Sequence, residues 1–189
     1  MPSTEPDSLA VIGSEVTSCT RCRLCATRTN AVPGEGRADA TVVIVGEAPG
    51  DKEDRTGRPF QGDAGSNLNG LLERAAINRE EAFVTNVVKC RPVDNNRNRK
   101  PTSEEINACL PYIKRQLQLI KPNIVVLLGA SALNAFFPDK KIREAHGKVL
   151  ALEGQQFFIT YHPAAKIYDK ALGPIMDTDF DALGKRYTV

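Results

Sequence analysis

The stretch Thr41-Val42-Val43-Ile44-Val45-Gly46-Glu47-Ala48-Pro49-Gly50 decides the fold: an apolar, β-rich run closes in a tight polar turn. The same arrangement recurs along the chain. Asn86 closes Ala82-Phe83-Val84-Thr85, Gly129-Ala130-Ser131 closes Ile124-Val125-Val126-Leu127-Leu128, and His162-Pro163 closes Phe157-Phe158-Ile159-Thr160-Tyr161. In open α/β sheets, ligands bind in the crevice outside the carboxyl ends of the strands. One pocket assembled from four strand ends is therefore the first expectation.

The segments between the strands read as helices. Residues 64–76 carry Leu68, Leu71, Leu72 and Ala75 on one face. Thr102-Ser103-Glu104-Glu105 has capping-box spacing and opens a helix to about Ile120, which Pro111 would kink or split. Residues 9–18, 131–137 and 179–186 read as further helices. The second strand is expected over 83–88, and residues 148–152 and 156–161 form a hairpin about Glu153-Gly154. Strands alternating with helices predict a single α/β domain spanning 1–189, a three-layer α/β/α architecture with a central, mostly parallel four-stranded sheet. The first eight residues are expected to be disordered. The loop over 47–63 is long enough to be read as functional.

Length and composition fit this picture. The chain has 189 residues, 41% hydrophobic and 25% charged, as a soluble globular protein would. No apolar run approaches the ~20 residues that span a bilayer, so no membrane role is expected. The polar, acidic start Met1-Pro2-Ser3-Thr4-Glu5-Pro6-Asp7 is unlike a secretory signal, which points to the cytoplasm. A net charge of +2 is too small to imply nucleic acid by itself, so that case has to be local. One local case exists: Lys89, Arg91, Arg97, Arg99 and Lys100 face a single acid, Asp94, in the loop after the second strand. Such a run is usually a solvated loop. Its position beside Asn86 favours contact with phosphates.

Five cysteines in a chain of this kind suggest metal or redox chemistry before disulfides, and the odd number argues against a closed disulfide set. Cys19, Cys22 and Cys25 lie at equal steps, Cys90 ends the second strand, and Cys109 lies on the next helix. Two thiolates from the N-terminal loop and two from around the second strand would suit Zn²⁺ or an iron–sulfur cluster. Spacing does not choose between the metals, nor between Cys22 and Cys25. The plain alternative is a buried core thiol at Cys109. A site closed by four ligands would be structural.

At the strand ends, Phe60 could stack on a nucleobase, against the commoner role of loop packing. Asn86 presents one acceptor and two donors, a pattern that fits the O4 and N3–H edge of uracil and mismatches cytosine. His162 and Glu47 are the candidate catalytic groups. Gly65 and Ser66, at a helix start, could cradle a phosphate through free amides. Asp51, Glu53 and Asp54 read as a solvated acidic cluster.

Taken together these residues resemble the family 4 uracil-DNA glycosylases, the iron–sulfur type. The resemblance runs through Cys19-x2-Cys22-Arg23-Leu24, Gly34-Glu35-Gly36, Gly46-Glu47-Ala48-Pro49-Gly50, Glu53-Asp54, Thr56-Gly57-Arg58-Pro59-Phe60, Thr85-Asn86-x2-Lys89-Cys90-Arg91-Pro92, Leu128-Gly129-Ala130 and Tyr161-His162-Pro163-Ala164. Each motif is weak alone; their order is specific. The resemblance implies a structural [4Fe–4S] cluster on Cys19, Cys22, Cys90 and Cys109, with Cys25 an extra thiol and zinc the alternative metal. It implies uracil stacked on Phe60, paired by Asn86, touched by Glu47, Ala48 and Gly50, with His162 on the O2 side. DNA contact would come from Gly65, Ser66, Arg91, Arg97, Arg99, Ala130, Ser131, Ala164 and Lys166. Uracil-containing DNA would be the partner of a monomer, with a replication clamp or polymerase as a further candidate. Residues 91–101 contain no histidine, so the covalent trapping seen in a cluster-containing relative is not expected. The rival readings are a non-catalytic iron–sulfur or zinc module that binds DNA beside a polymerase, and an electron carrier.

Overall fold

A computed structural model describes residues 6–187. In chain order, α1 (Leu9–Thr17) and a 3-10 turn (Arg23–Ala26) precede β1 (Glu35–Gly36) and β2 (Val42–Gly46). Then come α2 (Asp51–Thr56), α3 (Asp63–Arg74), β3 (Phe83–Asn86), β4 (Val93–Asp94), β5 (Arg97–Asn98) and α4 (Ser103–Ile120). The remainder is β6 (Ile124–Leu128), α5 (Ala130–Phe136), α6 (Ile142–Ala145), β7 (Val149–Leu152), β8 (Gln155–Thr160), α7 (Ala165–Tyr168) and α8 (Leu172–Tyr187).

The four predicted strands form the parallel centre of the main sheet, whose order is β1-β3-β2-β6-β8-β7. The sheet has six strands rather than four, because β1 and β7 add antiparallel edges. β1 is two residues long and carries no period that sequence could reveal. β7 and β8 meet through Glu153 and Gly154, both at positive φ, the backbone of a tight hairpin turn. Register sets the function of the sheet. Gly46 lies opposite Asn86, Val45 opposite Leu127, and Leu128 opposite Thr160, so the four carboxyl ends stop nearly level.

Alternation along β2 makes the layers. Val43 and Val45 face a core shared with α1, α4 and α5, and Val42 and Ile44 face one shared with α3 and α8. Phe158 and Phe180 are almost fully buried in the second core. Burying a ring or branched chain of this size stabilises by roughly 1.5–3 kcal/mol.

Several local expectations change. β3 ends at Asn86, and the N–H groups of Val87 and Val88 instead donate to the carbonyls of Gly46 and Glu47. The loop after β2 contains α2. Pro111 neither splits nor ends α4, whose buried face of Cys109, Tyr112, Ile113, Gln116 and Ile120 holds it through the missing hydrogen bond. α8 begins at Leu172, well before the expected start, because Pro174 sits in its first turn where a proline is tolerated. Of the eight residues expected to be disordered, 1–5 lie outside the described residues. Asp7 pairs with Arg115 at 2.6 Å, and Ser8 caps α1 by accepting from Val11 N–H at 3.2 Å.

Candidate active site

The level strand ends enclose a cavity of about 300 Å³. Glu47, Ala48, Gly50, Phe60, Asn86 and His162 all line it, together with Arg99 and Ala164. Glycines make this convergence possible. A Cβ on Gly46 would stand 2.4 Å from Asn86 Oδ1 and 2.6 Å from Phe60 Cζ. A Cβ on Gly129 would stand 2.9 Å from His162 Cβ. Gly65 lets α3 approach Phe60, whose carbonyl oxygen would lie 1.9 Å from an added Cβ.

Phe60 has φ +53°, the left-handed region that a ring-bearing residue rarely occupies. Glu53 fixes it there. Its Oε1 accepts from Gln61 N–H at 2.7 Å and Gly62 N–H at 2.8 Å, while Oε2 accepts from Gly50 N–H at 3.0 Å. One carboxylate thus holds the turn after β2 and the Phe60 loop together. Asp54 is buried likewise and accepts from Thr29 N–H at 3.0 Å. The expected solvated cluster is therefore wrong for both residues: their charges serve backbone amides. The capping-box spacing of Gly50-Asp51-Lys52-Glu53 was the available signal.

Asn86 is 2% exposed, and among the described residues no protein group partners its side-chain amide. Its amide atoms open onto the cavity rather than being sealed from it, which leaves them available to a ligand. The His162 ring stacks near Phe60, with centroids 5.9 Å apart. Ala164 N–H donates to His162 Nδ1 at 3.2 Å. That bond leaves the proton of the neutral ring on Nε2. Burial holds the imidazole neutral by pushing its pKa down to about 4 from the ordinary 6.5. Glu47 Oε2 accepts a hydrogen bond from Ser131 Oγ, so Ser131 holds the carboxylate from the end of β6.

The remaining expected DNA residues divide. Gly65 and Ser66 have their N–H groups bonded to the Gly62 carbonyl at 2.9 and 3.1 Å, so they are not free amides. The unbonded first-turn amides belong to Asp63 and Ala64, both on the cavity wall. Lys89 is no part of a solvated run: it is 1% exposed and donates to Thr85 Oγ1 at 2.5 Å and Gln116 Oε1 at 2.8 Å. Burial pushes its pKa down to about 7. Arg91 pairs with Asp51 at 2.7 Å and donates to Asn98 Oδ1 at 2.7 Å. Arg99 is held by Glu105. Arg97 is exposed and, among the described residues, its side chain has no partner. Ala130 is exposed at the start of α5, and Lys166 is half-buried on α7 beyond His162. Asn98 lines the cavity and went unnoticed in the sequence, since a polar residue in a polar loop carries no pattern.

A second, small cavity lies behind β3. Cys19, Cys22, Cys25, Cys90 and Cys109 line it, all as free thiols, with Arg28, Lys89 and Tyr112. Burial raises the thiols of Cys22 and Cys90 and pushes Cys109 up to about 11. N–H groups are aimed at three sulfurs: Arg28 Nη1 to Cys90 at 3.2 Å, Lys89 N to Cys109 at 3.3 Å, and Arg21 N to Cys19 at 3.5 Å. Such bonds stabilise thiolates in a metal-bound set. Among the described residues, no three His, Cys, Asp or Glu side chains stand close enough together to hold a single metal ion. The donor set, all sulfur and hydrogen-bonded, fits an iron–sulfur cluster.

The sequence pattern of the Uracil DNA glycosylase superfamily matches residues 33–182, a span that contains every residue around the first cavity. A type-4 uracil-DNA glycosylase of Sulfurisphaera tokodaii is 42% identical to this chain, over 97% of the chain and 89% of that protein. One of Saccharolobus solfataricus is 40% identical over 92% and 84%, and one of Thermotoga maritima 43% identical over 85% and 84%. The chain belongs to the uracil-DNA glycosylase superfamily, whose α/β fold it shares. Within that superfamily it falls among the type-4 uracil-DNA glycosylases.

Proposed function

We infer that the chain is a uracil-DNA glycosylase that releases uracil from DNA by hydrolysis. The observation that carries this is the meeting of Glu47, Phe60, Asn86 and His162, from four separate segments, around one cavity. Deoxyuridine must leave the stack to be reached, and unstacking costs a few kcal/mol. Stacking on Phe60 offsets ~1–3 kcal/mol of that. Asn86 donates to O4 and accepts from N3–H, and cytosine presents the reverse pattern to an amide so oriented.

In the reaction, the C1′–N1 bond breaks and its electron pair leaves with the uracil ring. The Nε2–H of neutral His162 donates to O2, where negative charge collects; one preorganised donor of this kind is worth ~2.7–4 kcal/mol. Glu47, held by Ser131, faces the cationic sugar and orients the water. The water oxygen bonds to C1′, its proton passes to Glu47 or solvent, the uracil anion takes up a proton from solvent, and the products are uracil and an abasic site.

Cys19, Cys22, Cys90 and Cys109 would hold a [4Fe–4S] cluster, which supplies cross-linking and no step of the reaction. The all-sulfur lining, with N–H groups aimed at three of the sulfurs, supports the cluster. Exposure of Arg97 and Ser66, and the position of Lys166 just beyond His162, support these as the side chains that meet phosphates. We propose that the enzyme works as a monomer in the cytoplasm, at the nucleoid of a prokaryotic cell. Among the described residues, no helix is long and apolar enough to cross a membrane.

A uracil-containing oligonucleotide incubated with the protein and then treated with alkali tests the reading. Scission at uracil is expected. Binding without scission would favour the non-catalytic module.

A further inference from the structure

The most constrained carboxylate outside the cavity is Glu105, at the start of α4. Its side chain is 2% exposed and accepts four hydrogen bonds. Arg99 grips it with both ends of its fork, Nη2 to Oε1 at 2.6 Å and Nη1 to Oε2 at 2.8 Å. Arg23 Nε donates to Oε1 at 2.9 Å, and Thr102 N–H to Oε2 at 2.8 Å. These partners come from different parts of the molecule. Arg23 follows Cys22 directly in the 3-10 turn, and Cys109 lies one helical turn beyond Glu105. Arg99 follows the β4–β5 hairpin, which places Asn98 and Arg99 on the wall of the uracil cavity.

Arg99 also donates to the carbonyls of Val93 and Lys100, at 3.2 and 2.9 Å. Its guanidinium is thus engaged on both edges by the hairpin and Glu105, which suits a strut better than a free phosphate ligand. A planar fork on a buried carboxylate is a stiff join. The hairpin has few other ties: among the described residues it pairs only with itself, over two residues per strand, and Arg91 adds the link to Asp51.

We propose that Glu105 is a positioning residue for uracil excision, joining the hairpin wall of the cavity to the cysteine-bearing turn through Arg99 and Arg23. Ordering of that turn by its thiols then sets the wall against which the extrahelical nucleotide is held. The consequence for catalysis rests on the glycosylase reading; the mechanical join does not.

The join is tested in the holoprotein by amide hydrogen exchange without DNA, comparing wild type with Arg23→Gln and Arg99→Gln. Both variants leave the Thr102–Glu105 cap of α4 intact, which Glu105→Ala would not. Exchange over residues 93–99 is expected to speed up at least tenfold in each, with iron content and visible absorbance unchanged. Steady-state excision in Arg23→Gln should show KM for DNA raised about tenfold with kcat nearly kept, and Arg23→Lys should restore part of it. Unchanged exchange over 93–99 in Arg23→Gln overturns the join, and so does a loss confined to kcat. A wild type that excises no uracil would refute the glycosylase reading while leaving the exchange result to stand or fall alone.

Discussion

The two cavities flank the same short segment and treat their polar groups in opposite ways. At Asn86 the chain turns an amide onto the cavity at the open end of the sheet and, among the described residues, gives it no protein partner. Three residues on, it buries the Lys89 ammonium between Thr85 and Gln116, beside sulfurs that already receive N–H bonds. The first cavity keeps its hydrogen-bonding capacity for something that arrives and leaves. The second uses its capacity internally and fastens the N-terminal turn to β3 and α4. Hydrogen-bonding capacity left open onto a cavity at one site, and used up internally at the other, is what supports the first as the one that binds.

The sharpest way to break this contrast is His162→Ala. Loss of one preorganised donor should lower kcat ~100- to 1000-fold, with DNA affinity nearly unchanged, as single-turnover kinetics and titration would read. An equal fall in both would make His162 a binding group only. Asn86→Asp should follow, reducing uracil excision about 10- to 100-fold for one lost hydrogen bond and admitting cytosine; oligonucleotides with U or C at one position distinguish the two effects. On the thiol side, Cys90→Ala should bleach visible absorbance and lower Tm. A loss of about 3 kcal/mol would mean a fall of ~6–12 °C in a chain of this size. Full colour in the variant would remove Cys90 from the ligand set.

Acid should weaken the His162 cavity and the Glu105 join in separate windows. The folded pKa of His162, about 4, lies below its ordinary 6.5, so the unfolded chain takes up that proton first. Its contribution is complete above pH 6.5 and declines as pH falls toward 4. Glu105, held down to about 2 chiefly by Arg99, contributes fully above its ordinary 4.5 and is lost as pH falls through about 2. Melting curves against pH should lose the upper part of their slope in His162→Gln and keep the lower. The smallest effect belongs to Arg97→Ala, which should reduce the salt dependence of DNA binding by about one unit of slope and leave the excision rate at saturation unchanged.

Much of this was legible in the sequence, and unevenly. The strand ends were, because runs such as Ile124 to Leu128 followed by Gly129 announce both a buried strand and its stop. The gathering of Glu47, Phe60, Asn86 and His162 follows from strand order and from the resemblance to the type-4 enzymes. What stayed hidden was charge that serves the backbone or the core. Glu53 looks like one acid among several until the Phe60 loop folds back to donate to it. Lys89 looks like part of a basic run until Thr85 and Gln116, one on β3 and one on α4, close around it. Arg99 looks like a phosphate ligand until Glu105 takes its fork. Each depends on a partner brought close only by tertiary packing, and no local period encodes that.

A crystal structure with free uracil tests the account most directly. Uracil is expected in the cavity, its ring on Phe60, its O4 and N3 edge on the Asn86 amide and its O2 within hydrogen-bond reach of His162 Nε2. Uracil bound elsewhere, or seated in the cavity with Asn86 unpaired, would contradict it.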